Sequence, residues 1–398
     1  MRLFISVSIF GAALMSFGCG RSQKSEVPPA PVAATSDDAH HSMPALPGTL
    51  EEWSRGAMLL DKLGNFHRKI SSSSVEAQQY FDQGMRLMYA FNHDESTRSF
   101  ARAALVDPDC AICYWGVAYT VGPNYNLPIM VEARAKIAWD ALNDAQKHVL
   151  RASAVEQALI GALAQRYPNA QPLDPSNSAP VLGAYAQAMK EVAAKYPVDS
   201  DVQTLYAESM MNLNAWKLWS LDGKPTPGTP EILATLEGVL RRDATHPGAN
   251  HYYVHAIEAS PEPQKGIPAA ERLIGMMPSA GHLEHMPAHI MQRVGRYEDA
   301  AEANRKGAAA DDMYLKKTRP LDYYGMYVAH NYQFLAYSAA MEGRKAETLA
   351  AAEKVGAAMP TEMLQAMLGF DWYVAEKYMA LLRFGMWDEM LAQPRPDA

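Results

Sequence analysis

Cysteine is scarce in this chain: three residues in 398, two of them only three positions apart, which excludes a fold stapled by disulfides. A basic surplus is lacking as well. With 36 Lys+Arg against 44 Asp+Glu and a net charge of −8, nothing is at hand to displace counterions from phosphates, so nucleic acid is excluded as a partner. The catalytic signatures that a sequence can carry are missing. His251 and His255 enclose Tyr252, Tyr253 and Val254 rather than the glutamate of a zinc protease, and there is neither a G-x-S-x-G elbow nor a phosphate-cradling glycine loop. Beyond Leu50 no stretch alternates as a half-buried strand does. What remains is an Ala-rich and Met-rich chain, 48% hydrophobic, able to bury a large core and composed for helices.

The first residues read as an address rather than as fold. Arg2 precedes an apolar run from Leu3 to Phe17, too short to span a bilayer and laid out as an export signal. Gly18-Cys19 at its end resembles a bacterial lipobox, with Ser16 where that pattern has Leu. The expectation is a signal peptide over 1–18, lipidation at Cys19, and a flexible tether over 19–48 that carries Pro28, Pro29, Pro31, Pro44 and Pro47. The protein is then expected on the bacterial cell envelope, lipid-anchored and facing the periplasm or the exterior. Ordinary secretion with an incidental Cys19 is the alternative.

The remaining chain, 49–398, has a helical period that repeats. In the window 77–108, Tyr80, Gly84, Leu87, Ser96, Phe100, Ala103 and Pro108 alternate large and small side chains. Small residues let two antiparallel helices approach, large ones fill the gap, and the proline ends the second helix. On these positions the chain resembles the tetratricopeptide repeat family. A next repeat opens with Ala111 and continues through Tyr114, Val117, Ala118 and Val121. Two later windows align on their turns, Gly295-Arg296-Tyr297 and Gly343-Arg344-Lys345, with His93 taken as the turn residue of the first repeat. The first of the two has Asp312 in the terminal proline's place, the second ends on Pro360. The best repeats span 77–122 and 281–360, and helices are expected between them at 130–146, 152–166, 180–195, 199–214 and 229–243. The resemblance implies an all-α solenoid of antiparallel helix pairs, some degenerate, with a concave groove for a protein, peptide or small ligand. Phe81, Met85, Trp115 and Tyr119 would line that groove at its N-terminal end, unless they serve as core.

Six of the twelve histidines crowd into residues 251–330. His251 and His255 are four apart, His282, His285 and His289 follow at steps of three and four, and His330 comes later. On a helix such steps share a face, so neighbours can chelate one ion. His282 and His289 cannot, because seven residues rise about 10 Å. The expected shell sets His251 and His255 against His285 and His289, with His282, His330, Glu258 and Glu284 as supporting residues or a second site. Imidazole donors suit zinc or copper. The plain alternative is a set of polar contacts in a repeat groove. Pro287 bears on the geometry: if it starts a helix, His282 and His285 would belong to a preceding loop.

Cys110 and Cys113 stand at an expected helix start, and in an oxidising compartment a one-turn disulfide is the expected state. Tyr114 replaces the histidine that haem attachment needs. At the other end, Thr361 to Phe384 is apolar and aromatic, and after Gly385 only a short helix fits before Pro394. A solenoid end needs a polar cap, so this end is expected to be covered by a second copy, by a partner, or by further chain in a longer natural protein. Two functions stay open. One is an exported, lipid-anchored binding scaffold with a histidine-bound metal as an added feature. The other is a metal-dependent enzyme or metal-handling protein centred on His251 to His330.

Overall fold

Helices begin where the sequence supplies a cap. Ser74, Asn92 and Asp199 each accept a hydrogen bond from a backbone amide three residues on. They start α2 (Val75–Tyr89), α3 (His93–Val106) and α8 (Ser200–Met211). A short α1 (Leu50–Ser54) precedes these; α4 (Ala111–Thr120), α5 (Glu132–Lys147), α6 (Ala154–Leu163) and α7 (Ala179–Lys195) lie between. There follow α9 (Thr229–Arg242), α10 (Pro247–Ile257), α11 (Ile267–Leu273), α12 (Gly281–His285) and α13 (Pro287–Arg293). The chain continues through α14 (Tyr297–Lys317), α15 (Tyr324–Met341), α16 (Lys345–Ala358), α17 (Glu376–Arg383) and α18 (Trp387–Leu391). This computed structural model describes residues 46–318, 324–359, 364 and 371–394. The signal segment, Cys19, most of the tether, and Pro360, Met363, Met367 and Leu368 lie outside the described residues. Among the described residues there is no strand beyond two isolated bridges, and no helix is long and apolar enough to cross a membrane.

One turn recurs. The Arg296 amide donates to the Met291 carbonyl (2.8 Å), Arg344 to Ala339 (2.9 Å) and Met386 to Leu381 (3.0 Å). Each bond spans a glycine with positive φ, Gly295 at 79°, Gly343 at 73° and Gly385 at 65°, the arrangement that closes a helix on a left-handed residue. The Asn92 amide donates to Leu87 in the same way (3.0 Å), but here the left-handed position is held by Phe91, at φ 54°. The sequence frame put His93 at this turn. The structure gives the turn to Phe91 and makes His93 the first residue of α3, a shift of two positions.

Packing follows the same frame. Phe100 of α3 lies between Gly84 of α2 and Gly116 of α4, and a side-chain carbon on either glycine would overlap its ring. Neighbouring helices pack in succession, α2 on α3, α4 on α5, α14 on α15 and α15 on α16. The architecture is thus all-α, a solenoid-like series of helix pairs of the tetratricopeptide type. One correction concerns the expected groove. Phe81, Met85, Trp115 and Tyr119 are all buried in the main core, none more than 1% exposed. Every residue of α4 is buried, because α6 and α2 also pack against it, and a helix apolar on all sides belongs inside.

Candidate metal centre

The centre is built on α10, whose eleven residues are all buried. Pro247 takes the first helical position, where its missing amide is no loss, and the His246 side chain accepts from the Ala249 amide. Gly248 lets α10 come close to the ring of Tyr89 on α2. His251 and His255 then project one turn apart. Their neighbours come from α12 and α13. Pro287 does begin α13, yet His282 and His285 sit on the short helix α12, not on a loop, and Met286 joins the two with helical dihedrals (φ −53°, ψ −34°). His330 comes from α15.

The six imidazoles form two groups, His251–His255–His282 and His285–His289–His330. Within each group one ligand atom per residue lies within 4.8 Å of the others. The expected four-histidine shell is therefore corrected. His282 joins α10, with its Nε2 3.2 Å from that of His251. His330 joins α13, with its Nε2 3.3 Å from that of His289. The side chains cross between helices: α12 packs on α15 and α13 on α10, yet His282 of α12 reaches His251 of α10 and His289 of α13 reaches His330 of α15. His285, four residues before His289, stays with it, Nε2 to Nε2 at 2.9 Å. Glu258, at the end of α10, reaches both groups, Oε1 to His255 Nδ1 (3.1 Å) and Oε2 to His289 Nδ1 (2.6 Å). Glu284 turns away and accepts from the Gly275 amide (3.0 Å), so it supports no imidazole.

Acceptors on the far side of the rings set the tautomers. His251 donates through Nδ1 to the Tyr89 carbonyl (2.6 Å). His285 donates through Nδ1 to Asn304 Oδ1 (2.6 Å), and the amide is oriented because Asn304 Nδ2 donates to the Ala300 carbonyl (2.7 Å). His255 and His289 both donate to Glu258. Four Nε2 atoms consequently carry lone pairs, and that of His255 is buried with no hydrogen-bond partner. This is how metal-bound histidines are commonly held from behind. Two nitrogens on one tetrahedral ion are about 3.3 Å apart for bonds of about 2.05 Å, close to the three Nε2 separations.

Burial favours the neutral form of five of these rings. Burial first, then neighbouring imidazoles, drives His251, His282 and His285 well below the usual histidine range. Burial lowers His255 despite Glu258, and it pushes His330 down to about 3, with His289 adding to it. Burial opposes ionisation of Glu258, but His289 and His255 outweigh it and hold the carboxylate well below its ordinary value. Neutral imidazole is the form that binds a metal.

Several residues of the centre escaped the sequence reading. The ring of Phe91 stacks on His255 and His282, at 5.7 Å from each, and lies 4.5 Å from His251. Phe334 packs on His289 and His330, both at 4.5 Å, and Tyr327 meets His282 edge-on at 4.9 Å. Tyr125 and half-exposed Trp216 cover the His255 side at 5.4 and 5.6 Å, and Trp216 also has positive φ, 61°. Left-handed bulky residues are rare, and both of these touch the cluster. Away from it, Cys110 and Cys113 are joined as a disulfide at the start of α4.

These features define a class: an all-α helix-pair repeat protein with a buried polyhistidine centre. No family model and no curated protein matches the chain. Among solved structures it is similar to the crystal structure of MamA protein, at 16% identity over 48% of this chain and 87% of that one, with a TM-score of 0.34. It is also similar to the TPR domain of P58(IPK), at 12% identity over 80% of this chain and 91% of that one, with a TM-score of 0.21.

Proposed function

We propose that this protein is a helical-repeat scaffold whose core holds copper or zinc on the imidazoles of His251, His255, His282, His285, His289 and His330. The observation that carries the reading is the His285–His289 pair. Both Nδ1 protons are committed to acceptors, so two lone pairs face each other at 2.9 Å in a buried place. Two neutral rings so arranged repel, and a shared proton would make a buried imidazolium with the Glu258 carboxylate as its counter-charge. A Lewis acid satisfies both lone pairs at once. An all-imidazole donor set suits copper and zinc and not the oxygen-seeking magnesium or calcium.

Elemental analysis of purified, untagged protein tests it. Stoichiometric copper or zinc is expected, lost in a His251→Ala/His289→Ala variant, and added metal should raise the thermal midpoint by mass action. A fully folded protein that stays metal-free after equilibration with both ions would sink the reading.

A second reading, binding of a protein partner or a second copy, has support in the helix-pair architecture and in Trp372, Met379, Trp387 and Leu391, exposed near the C-terminal end. Export with lipid anchoring at Cys19 has indirect support in the Cys110–Cys113 disulfide, a bond that persists in oxidising compartments. A Cys19→Ser protein should leave the membrane fraction without loss of fold. Retention there would rule out lipidation as the anchor.

A further inference from the structure

Resting on the proposed metal binding, we infer that the six imidazoles form one dinuclear centre of two coupled three-histidine half-sites, each taking one copper or zinc ion. Helical rise keeps a single ion from serving both groups, since His282 and His289 stand about 10 Å apart along one continuous helical path. Each group is complete in itself, with three nitrogen donors within 4.8 Å. That is one donor short of a tetrahedral shell, so each ion keeps a position for a small ligand.

The two groups are also immediate neighbours. Ring centroids across the boundary, His255 to His289 at 5.5 Å and His282 to His285 at 5.7 Å, are no farther apart than the 5.9 Å between His255 and His282 within one group. Glu258 joins them chemically. One carboxylate orients His255 of the first group and His289 of the second, so an ion that fixes one ring also fixes the support of the other. Charge decides the ligand. Six neutral donors and one outer carboxylate leave two divalent ions largely uncompensated inside the core. Such a centre favours copper in its monovalent state, or a small solvent-derived anion shared between two divalent ions, occupying the fourth position of both.

Titration of the full chain with Cu(II) and Zn(II), separately, distinguishes the possibilities. Two equivalents per chain are expected. One is expected in His251→Ala/His282→Ala and one in His285→Ala/His330→Ala, because each double substitution dismantles one half-site. Glu258→Gln should weaken both equivalents by about 10- to 100-fold. A single equivalent in the unaltered protein overturns the dinuclear centre and leaves the metal reading intact; no binding overturns both. Loss confined to one equivalent in Glu258→Gln overturns the coupling. Should the double variants fail to fold, the Cu(II)-loaded unaltered protein decides by electron paramagnetic resonance. Two Cu(II) ions this close interact, so a half-field transition or dipolar splitting should appear in the divalent, fully oxidised protein. Two full, non-interacting spins would overturn the proposal.

Discussion

Phe91 concentrates the conflict between local and tertiary demands. Three equivalent turns use glycine, because a left-handed residue with a side chain costs about 1–2 kcal/mol. The ring that replaces it is 1% exposed and packs on three imidazoles, and removing a buried Phe side chain typically costs about 3–5 kcal/mol. The second effect is larger. Phe91→Gly should therefore lower stability by about 2 kcal/mol or more in a denaturant titration, even though it restores the glycine of the sister turns. A variant as stable as the parent would mean that the ring contributes little to the cluster.

Between elements, the joint among α12, α14 and α15 decides where His285 and His330 stand. Gly307 of α14 faces α12 so closely that an added carbon would lie 2.9 Å from the Gly281 carbonyl and 3.1 Å from His285 Cβ. One turn on, Asp311 accepts from Tyr324 (2.7 Å) and Asn331 (2.6 Å) of α15. Burial pushes its carboxyl up to about 7, although those two donors pull the other way. The native state thus holds a proton that the unfolded chain, titrating at its ordinary value, gives up. The stabilising contribution is full below pH of about 4, falls as pH rises toward 7, and changes by at most about 1.4 kcal/mol per pH unit. The stability difference between the parent and Asp311→Asn should shrink across that window. Urea midpoints of the two proteins measured from pH 4 to 8 check this, and parallel curves would show that Asp311 does not titrate there.

At the scale of the whole molecule, the first and last parts of the described residues are held differently. The N-terminal segment is tied down by Arg68, which pairs with Asp199 (2.9 Å) and with Asp201 (2.6 Å); Asp201 also accepts from Tyr89 (2.6 Å) and His246 (3.1 Å). Burial opposes ionisation of Asp201, yet these partners hold it well below the usual range. Toward the C-terminus, α17 packs on α16 and buries Leu381, while Met379 is 57%, Trp387 55% and Leu391 80% exposed. Contact of these side chains with a second copy would remove that apolar area from water. Sedimentation of the protein is expected to show self-association with rising concentration, reduced by Trp387→Glu. A monomer at every concentration would assign the surface to a different partner.

The helices, their turns and the imidazole-rich stretch were legible in the sequence because each depends on neighbours a few residues away. Caps at Ser74, Asn92 and Asp199, glycines at Gly295, Gly343 and Gly385, and histidines at helical spacing act over one or two turns. Phe91 was missed, because the repeat frame put His93 at its turn, and its role depends on rings more than 150 residues away. Whether Phe81 and Met85 of α2 and Trp115 and Tyr119 of α4 face a groove or a core depended on which other helices cover α2 and α4, and no local pattern encodes that. The division of six histidines into two groups depended on the register of α10 and α15 against the α12–α13 segment. Spacing along one helix determined which imidazoles share a face; only the packing of three helices, with Glu258 between them, decided which ones come together, because each group draws its rings from more than one helix.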